Sequence, residues 1–311
     1  MTVTAVRAEI DEPTRTPAKA RRKHVEGARR MPYLLILPGL VVYLAFVIWP
    51  IEETFRLSFF QWDGLLPAVW VGVSNFTSIL SDPQTMQSFG VSAVMVVFTC
   101  LLPIVIALVL VAAIVRTKIR GLSFLRFVYF LPYTIALAVV AIAWRWIYAT
   151  DGSLNAVIGA IFGKGAVTAF LGSFTLALPA LGVVAFWATF GFVTVLLLSG
   201  AQHIPKELYE ACRMDGAGPV REFFAVTLPG VKYELRVSLV MTFIMAMRTF
   251  DVPLMTTQGG PGYATTTPVL TMYRDVFMNG MIGQGAAIAV LVTLVTVVGV
   301  AIINRVVKSE D

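Results

Sequence analysis

Six stretches of this chain are long enough and poor enough in charge to cross a lipid bilayer, and that decides its fold class first. About 20 apolar residues make an α-helix that spans the hydrocarbon core. Inside that core every backbone N–H and C=O must be paired within the segment, which leaves the helix as the natural solution for runs of this kind. Read from one charge to the next, the runs are residues 31–51, 91–115, 127–144, 176–199, 237–255 and 282–307. The fifth is the weakest, because Arg248 and Asp251 sit near its outer end. The fourth lies in an uncharged stretch from 165 to 205, too long for one crossing, so its first part is expected as an outer loop or a short surface helix. With 58% of its 311 residues hydrophobic and 14% charged, the chain has little mass left for a soluble domain. The expectation is an all-α polytopic membrane protein. It has a disordered basic tail at 1–30, a transmembrane domain at 31–308 with a polar loop at 202–230, and a short C-terminal end at 309–311.

Lysine and arginine set the orientation. They gather before the first run, between the second and third (Arg116, Lys118, Arg120, Arg126), between the fourth and fifth (Lys206, Arg213, Arg221, Lys232, Arg236) and after the sixth. The positive-inside rule then places both termini and the 202–230 loop in the cytoplasm. The net charge of +6 is met by anionic inner-leaflet lipid, at roughly 1 kcal/mol per basic residue near the surface, and calls for no nucleic acid. The first run reads as a retained crossing and not a signal peptide: its basic leader is long, and no small-residue cleavage site precedes Trp49-Pro50. Cys100 falls in mid-membrane and Cys212 in the loop, so neither a disulfide nor a metal site is expected.

Residues 206–229 form the only long polar interruption deep in the chain, and local signals say that it is folded. Pro205 suits a helix start, and Glu207 sits in the first turn, where a negative charge is favoured. Leu208, Ala211 and Cys212 recur at helical spacing on one face, with Lys206, Glu210 and Arg213 on the other. Asp215-Gly216 ends that helix, since glycine accepts the left-handed conformation. Gly218-Pro219 starts a second, expected over 220–228 and stopped by Pro229. Such an amphipathic element either lies in the headgroups or docks a partner.

The order Glu210-Ala211-Cys212, Asp215-Gly216-Ala217, Phe223, Leu228-Pro229 closely resembles the EAA loop of the membrane subunits of ATP-binding-cassette importers. Cysteine stands where a second alanine is usual. The resemblance implies the six-helix type I permease fold, with the loop as a coupling helix in a groove of a cytoplasmic ATPase. Leu208 and Ala211 would then pack against the ATPase, Glu210 would make a polar contact, and Asp215, Gly216 and Ala217 would form the turn that aims the helix. It also implies a second permease subunit, two ATPase subunits and an extracytoplasmic solute-binding protein, in a bacterial cytoplasmic membrane. ATP and Mg would be held by the ATPase, with no cofactor in this chain. Gly163-Lys164 lacks the spacing of a phosphate loop, so the chain is not expected to be its own motor.

Candidates for the solute path come from the apolar runs. Leu131-Pro132 can break the third, either as a packing kink or as a site where backbone faces the path. Trp187 and Phe190 can stack on a sugar ring or simply pack. Arg248 and Asp251, three apart, can pair on a helix face at the outer rim or line the path. Phe250-Asp251, then Gly259-Gly260-Pro261, the Thr265–Thr267 run and Tyr273 resemble the segment after the fifth helix in the first of the two permeases of carbohydrate importers, the maltose-type first subunit. The expected cargo is a sugar. A permease of the same superfamily for a glycerol phosphodiester or polyamine is the alternative. A self-sufficient secondary transporter would need ionisable residues in mid-helix and internal repeats, and neither is evident. A membrane enzyme would need clustered acid–base groups, yet the only histidines are His24 and His203.

Overall fold

The computed structural model describes residues 31–117 and 121–307. The expected tail at 1–30, Lys118 and Arg120 of the basic turn, and residues 308–311 lie outside the described residues. The chain divides after Pro50 into two units. The first is helical from Met31, and its apolar side chains from Leu35 onward are exposed, as they would be on a helix bathed in lipid. Its apolar stretch belongs to α1, Leu35–Leu57.

In the second unit a two-stranded ribbon follows, β1 (Phe60–Gln61) against β2 (Val69–Trp70), with Phe60 opposite Trp70. Asn75 donates from Nδ2 to the carbonyls of Ser58 and Phe60, both at 2.9 Å, and so fixes the ribbon to α2 (Ser74–Ser81). Next come α3 (Pro83–Arg116), α4 (Leu122–Thr134), α5 (Leu137–Ile147), α6 (Ser153–Phe162) and α7 (Ala177–His203). The polar loop holds α8 (Lys206–Met214) and α9 (residues 219–230). The chain ends in α10 (Lys232–Met247), α11 (Asp251–Thr256), α12 (Pro268–Phe277) and α13 (Ile282–Val306).

Four helices, α1, α3, α7 and α13, are long and apolar enough to cross a membrane; α4 and α5 pass the same test only together, as a pair bent by 96° that is either a broken span or a re-entrant loop. The elbow at Ile135-Ala136 lies just beyond Pro132, so the helix break expected at Leu131-Pro132 occurs one turn later. The fifth expected run, 237–255, is not one helix. It starts earlier, at Lys232, stops after 16 residues at Met247, and restarts at Asp251. Restarting there puts Pro253 in a first turn, where its missing N–H leaves no carbonyl unpaired. This also corrects the Arg248–Asp251 pairing on one helix face: the residues between them are non-helical, and no ion pair joins the two among the described residues.

Three prolines inside longer helices share one device. Pro50, Pro103 and Pro229 each sit two residues past a five-residue π-helical stretch, at Leu44–Ile48, Val97–Leu101 and Phe223–Thr227. A wider turn makes room for the pyrrolidine ring and absorbs the missing donor. That is why Pro229 does not stop α9, which continues to Gly230.

The core lies where α7 packs along α3 and α4, with α10 on α3, α7 and α13. Ile104, Ala107 and Val111 of α3 meet Val193, Leu197 and Ala201 of α7, all buried. Small residues at the start of α13 permit close approach. A Cβ on Gly283 would lie 1.9 Å from the Phe60 carbonyl oxygen, and one on Gly285 2.3 Å from Val276 Cγ2.

Candidate coupling helix and central cavity

α8 is short and strongly two-faced, and the chain's conformation at both ends follows from its sequence. Pro205 caps it in an extended conformation. At the other end Gly216, at φ +73°, lets the chain reverse: Gly216 N–H donates to Arg213 O (3.0 Å) and Ala217 N–H to Cys212 O (3.1 Å). This paired closure satisfies carbonyls that would otherwise be left open at the helix end. Gly218-Pro219 then opens α9.

One face of α8 is anchored. Tyr209 is buried, and its hydroxyl lies 3.3 Å from Thr227 Oγ1. One turn on, Arg213 donates from Nε (2.8 Å) and Nη2 (3.2 Å) to the two carboxylate oxygens of Glu222, whose side chain is 2% exposed. Arg116, in the last turn of α3, brings its Nε to 3.5 Å from Glu222 Oε1. Arg213's hydrogen bonds, then its charge and that of Arg116, hold the Glu222 carboxyl below the usual carboxylate range, against the opposing pull of burial. Arg213 was expected on the outer polar face. It stays exposed there while its guanidinium fork reaches the buried Glu222 carboxylate, which would be far costlier without a cation than with two.

The opposite face is uncovered. Leu208, Glu210, Ala211, Asp215 and Gly216 are exposed, Ala217 is half-buried, and Met214, Val220 and Phe224 stand out into solvent nearby. Beside Leu208 lies a cleft of about 510 Å³ lined by His203, Ile204, Ala225, Val226 and Glu234 among others.

The second locus is a cavity of about 280 Å³ in the angle of the α4–α5 elbow. It is lined by Thr99, Tyr133, Thr189 and Phe250, and by both charged candidates, Arg248 and Asp251. The same two residues also line a larger space of about 640 Å³ against α12 and α13. Trp187 and Phe190 are not among the lining residues. Trp187 meets Trp144 edge-on at 5.7 Å, and Phe190 is packed between Tyr129 and Phe186. Gly259 and Gly260 belong to a tight turn held by threonines: Thr266 Oγ1 donates to Gly259 O (3.0 Å) and Thr265 Oγ1 to Gly260 O (2.8 Å). A Cβ on Gly259 would sit 2.4 Å from Thr266 Oγ1, so the turn itself requires glycine there.

Tyr209, Thr227, Glu222 and Arg116 escape a reading of helical periodicity. Their contacts cross a turn or join helices far apart in the chain. In the cavity, Thr99, Tyr133 and Thr189 look like ordinary membrane-helix residues until the elbow gathers them around one space.

Long apolar helices, one sharply bent helix pair and an amphipathic helix pinned on one face and bare on the other define a multi-pass membrane protein. The chain belongs to the family of binding-protein-dependent transport system inner membrane components, which it matches over residues 90–309. It is 35% identical to the probable ABC transporter permease protein YurN of Bacillus subtilis, over 86% of this chain and 92% of that one. It is 34% identical to the trehalose/maltose transport system permease protein MalF of Thermococcus litoralis, over 88% and 92%. Its fold is similar to that of a solved bacterial ABC transporter that imports the acidic polysaccharide alginate. The TM-score is 0.77 at 19% identity, over 89% of this chain and 95% of that one. The fold is therefore that of a type I ABC importer permease.

Proposed function

We propose that this chain is the first of two permease subunits of a carbohydrate importer, and that α8 is the coupling helix through which a separate ATPase drives it. The observation that carries the reading is the division of α8 into a face held by Tyr209 and Arg213 and a bare face of Leu208, Ala211 and Met214. A helix fixed from behind and apolar in front is a docking element. Glu210 supplies a polar contact to the ATPase, Leu208 and Ala211 pack against it, and Asp215, Gly216 and Ala217 aim it. Both termini and α8 face the cytoplasm, and an extracytoplasmic binding protein delivers solute to the other side. ATP and Mg belong to the ATPase pair.

Coupling of this kind is a linkage. Nucleotide moves solute only to the extent that it favours one state of the pore over the other. The solute path runs by the elbow cavity, where Arg248 and Asp251 present opposite charges. The relative named for trehalose and maltose supports a sugar as cargo. Arg248 favours a second reading, an anionic solute such as a glycerol phosphodiester.

The test is reconstitution with the second permease, the ATPase and the binding protein. Gly216→Pro and Glu210→Lys should leave the subunit inserted while abolishing solute-stimulated ATP hydrolysis. Full stimulation in both would remove the coupling role. Stimulation by a phosphodiester but by no neutral sugar would replace the carbohydrate reading.

A further inference from the structure

α8 reaches its neighbours in the chain by short links, through Ile204-Pro205 to α7 and through α9 and Val231 to α10. It has no chain connection to α3, which nevertheless runs the length of the core beside α7. Among the described residues the ion-paired bridge between them is the Glu222 carboxylate. Both of its oxygens are engaged by Arg213 of α8, and one is also approached by Arg116 at the end of α3.

Each member sits where local electrostatics supports it. Glu222 lies in the first turn of α9, where a negative charge is favoured, and Arg116 and Arg213 lie in the last turns of α3 and α8, where positive charges are. Apolar side chains of the same volume would fasten α8 about as firmly. What the ionic triad adds is direction. A guanidinium fork on a carboxylate fixes the plane as well as the distance, and so carries a twist as well as a push. The Tyr209–Thr227 contact lies one turn away on the same face and prevents α8 from pivoting about the fork.

We propose that Arg116, Glu222 and Arg213 form a positioning joint that carries displacement of α8 directly into α3. This inference rests on α8 being the coupling helix. Movement imposed on α8 then reaches the α3–α7 core by two routes, the chain into α7 and the joint into α3. Loss of the joint leaves the ATPase docked and turning over while less of its motion reaches the pore.

The experiment compares solute moved per ATP hydrolysed in the reconstituted complex for Arg116→Met, Arg116→Lys and Glu222→Gln. Arg116 is partly exposed and ends its helix, so Arg116→Met keeps the fold. The expected result is a drop in the ratio of about fivefold or more in Arg116→Met, with membrane insertion and ATPase binding intact. Arg116→Lys should recover most of it, and Glu222→Gln should lose at least as much as Arg116→Met. A wild-type ratio in Arg116→Met overturns the proposal, as does a drop that lysine fails to rescue, which would point to packing. If Glu222→Gln does not assemble, the arginine pair decides alone. Should Glu210→Lys uncouple while Arg116→Met does not, only the joint fails. Should Glu210→Lys and Gly216→Pro both stay coupled, the docking reading fails with it.

Discussion

The Tyr129 carbonyl oxygen of α4 lies 1.9 Å from where a Cβ on Gly191 of α7 would stand, with Phe130 Cα at 2.8 Å. These are backbone atoms, which cannot step aside as a side chain can. α4 leads into the elbow that bounds the central cavity, so its seat on α7 sets the cavity's shape. Gly191→Ala should separate the two helices and destabilise the subunit by about 1–3 kcal/mol or more. Gly90 of α3 provides the contrast, since nothing lies within 4 Å of a Cβ there. Gly90→Ala should be neutral or stabilising by about 0.5–1 kcal/mol through helix propensity. Thermal unfolding of the purified subunit in detergent checks the pair, and equal melting temperatures for the two variants would refute the backbone contact.

Glu222 makes the α8 anchor acid-sensitive. Its folded-state pKa is lowered, first by Arg213's hydrogen bonds and then by the charges of Arg213 and Arg116; the other titratable groups at hand are the Tyr209 hydroxyl, pushed up by burial, and Glu210 and Cys212, which act on Arg213. A depressed carboxylate contributes stability that is complete above its unfolded pKa, about 4.3 for glutamate, and disappears as pH falls through the folded value. Amide exchange in residues 206–218 should therefore be flat from neutral pH down to about 5, after correction for intrinsic rates, and rise below about 4.3. Arg213→Met should raise exchange at neutral pH and flatten the acid step. An acid step unchanged in that variant would assign it to another carboxylate.

Tyr209 holds α8 by its ring more than by its hydroxyl. The oxygen–oxygen distance of 3.3 Å is long for a hydroxyl pair, whereas the side chain is buried. Tyr209→Phe should cost about 0.5–1.5 kcal/mol at most. Tyr209→Ala should cost about 3–5 kcal/mol locally and free α8 for proteolysis. Cleavage rates after Lys206 and Arg213 read this out, and equal protection in both variants would show that the ring is not the anchor.

The sequence made the long helices legible because lipid demands uninterrupted apolar runs, and α1, α7 and α13 overlap the expected positions closely. α3 runs further toward its N-terminus than its apolar run. The Asp82 carboxylate accepts from the Gln84 and Thr85 amides and nucleates a polar first turn that hydropathy alone does not register. The run at 237–255 misled for the opposite reason. Composition is continuous across Arg248 to Phe250, but the backbone must reset there to accommodate Pro253. In the loop, Gly216 and the helix boundary were readable from local chemistry. The pairing of Arg213 was not, because its partner Glu222 lies nine residues away across a glycine turn, outside any helical period.

That turn gives a test separating conformation from contact. Gly216 has φ +73° and an open surround, with nothing within 4 Å of a Cβ, so within the subunit its only requirement is backbone. A left-handed residue other than glycine costs about 1–2 kcal/mol, less for asparagine, whose side chain bonds locally, and most for β-branched residues. If the turn's role is to aim α8, coupled ATP hydrolysis should fall in the order Gly, Asn, Ala, Val at position 216. If glycine is there so that an ATPase can approach closely, size governs and alanine should outperform asparagine. The two orders differ only in that middle pair, so solute-stimulated hydrolysis in Gly216→Asn and Gly216→Ala decides between them. An alanine variant more active than the asparagine one would mean that the docking surface, and not the backbone, needs the missing side chain.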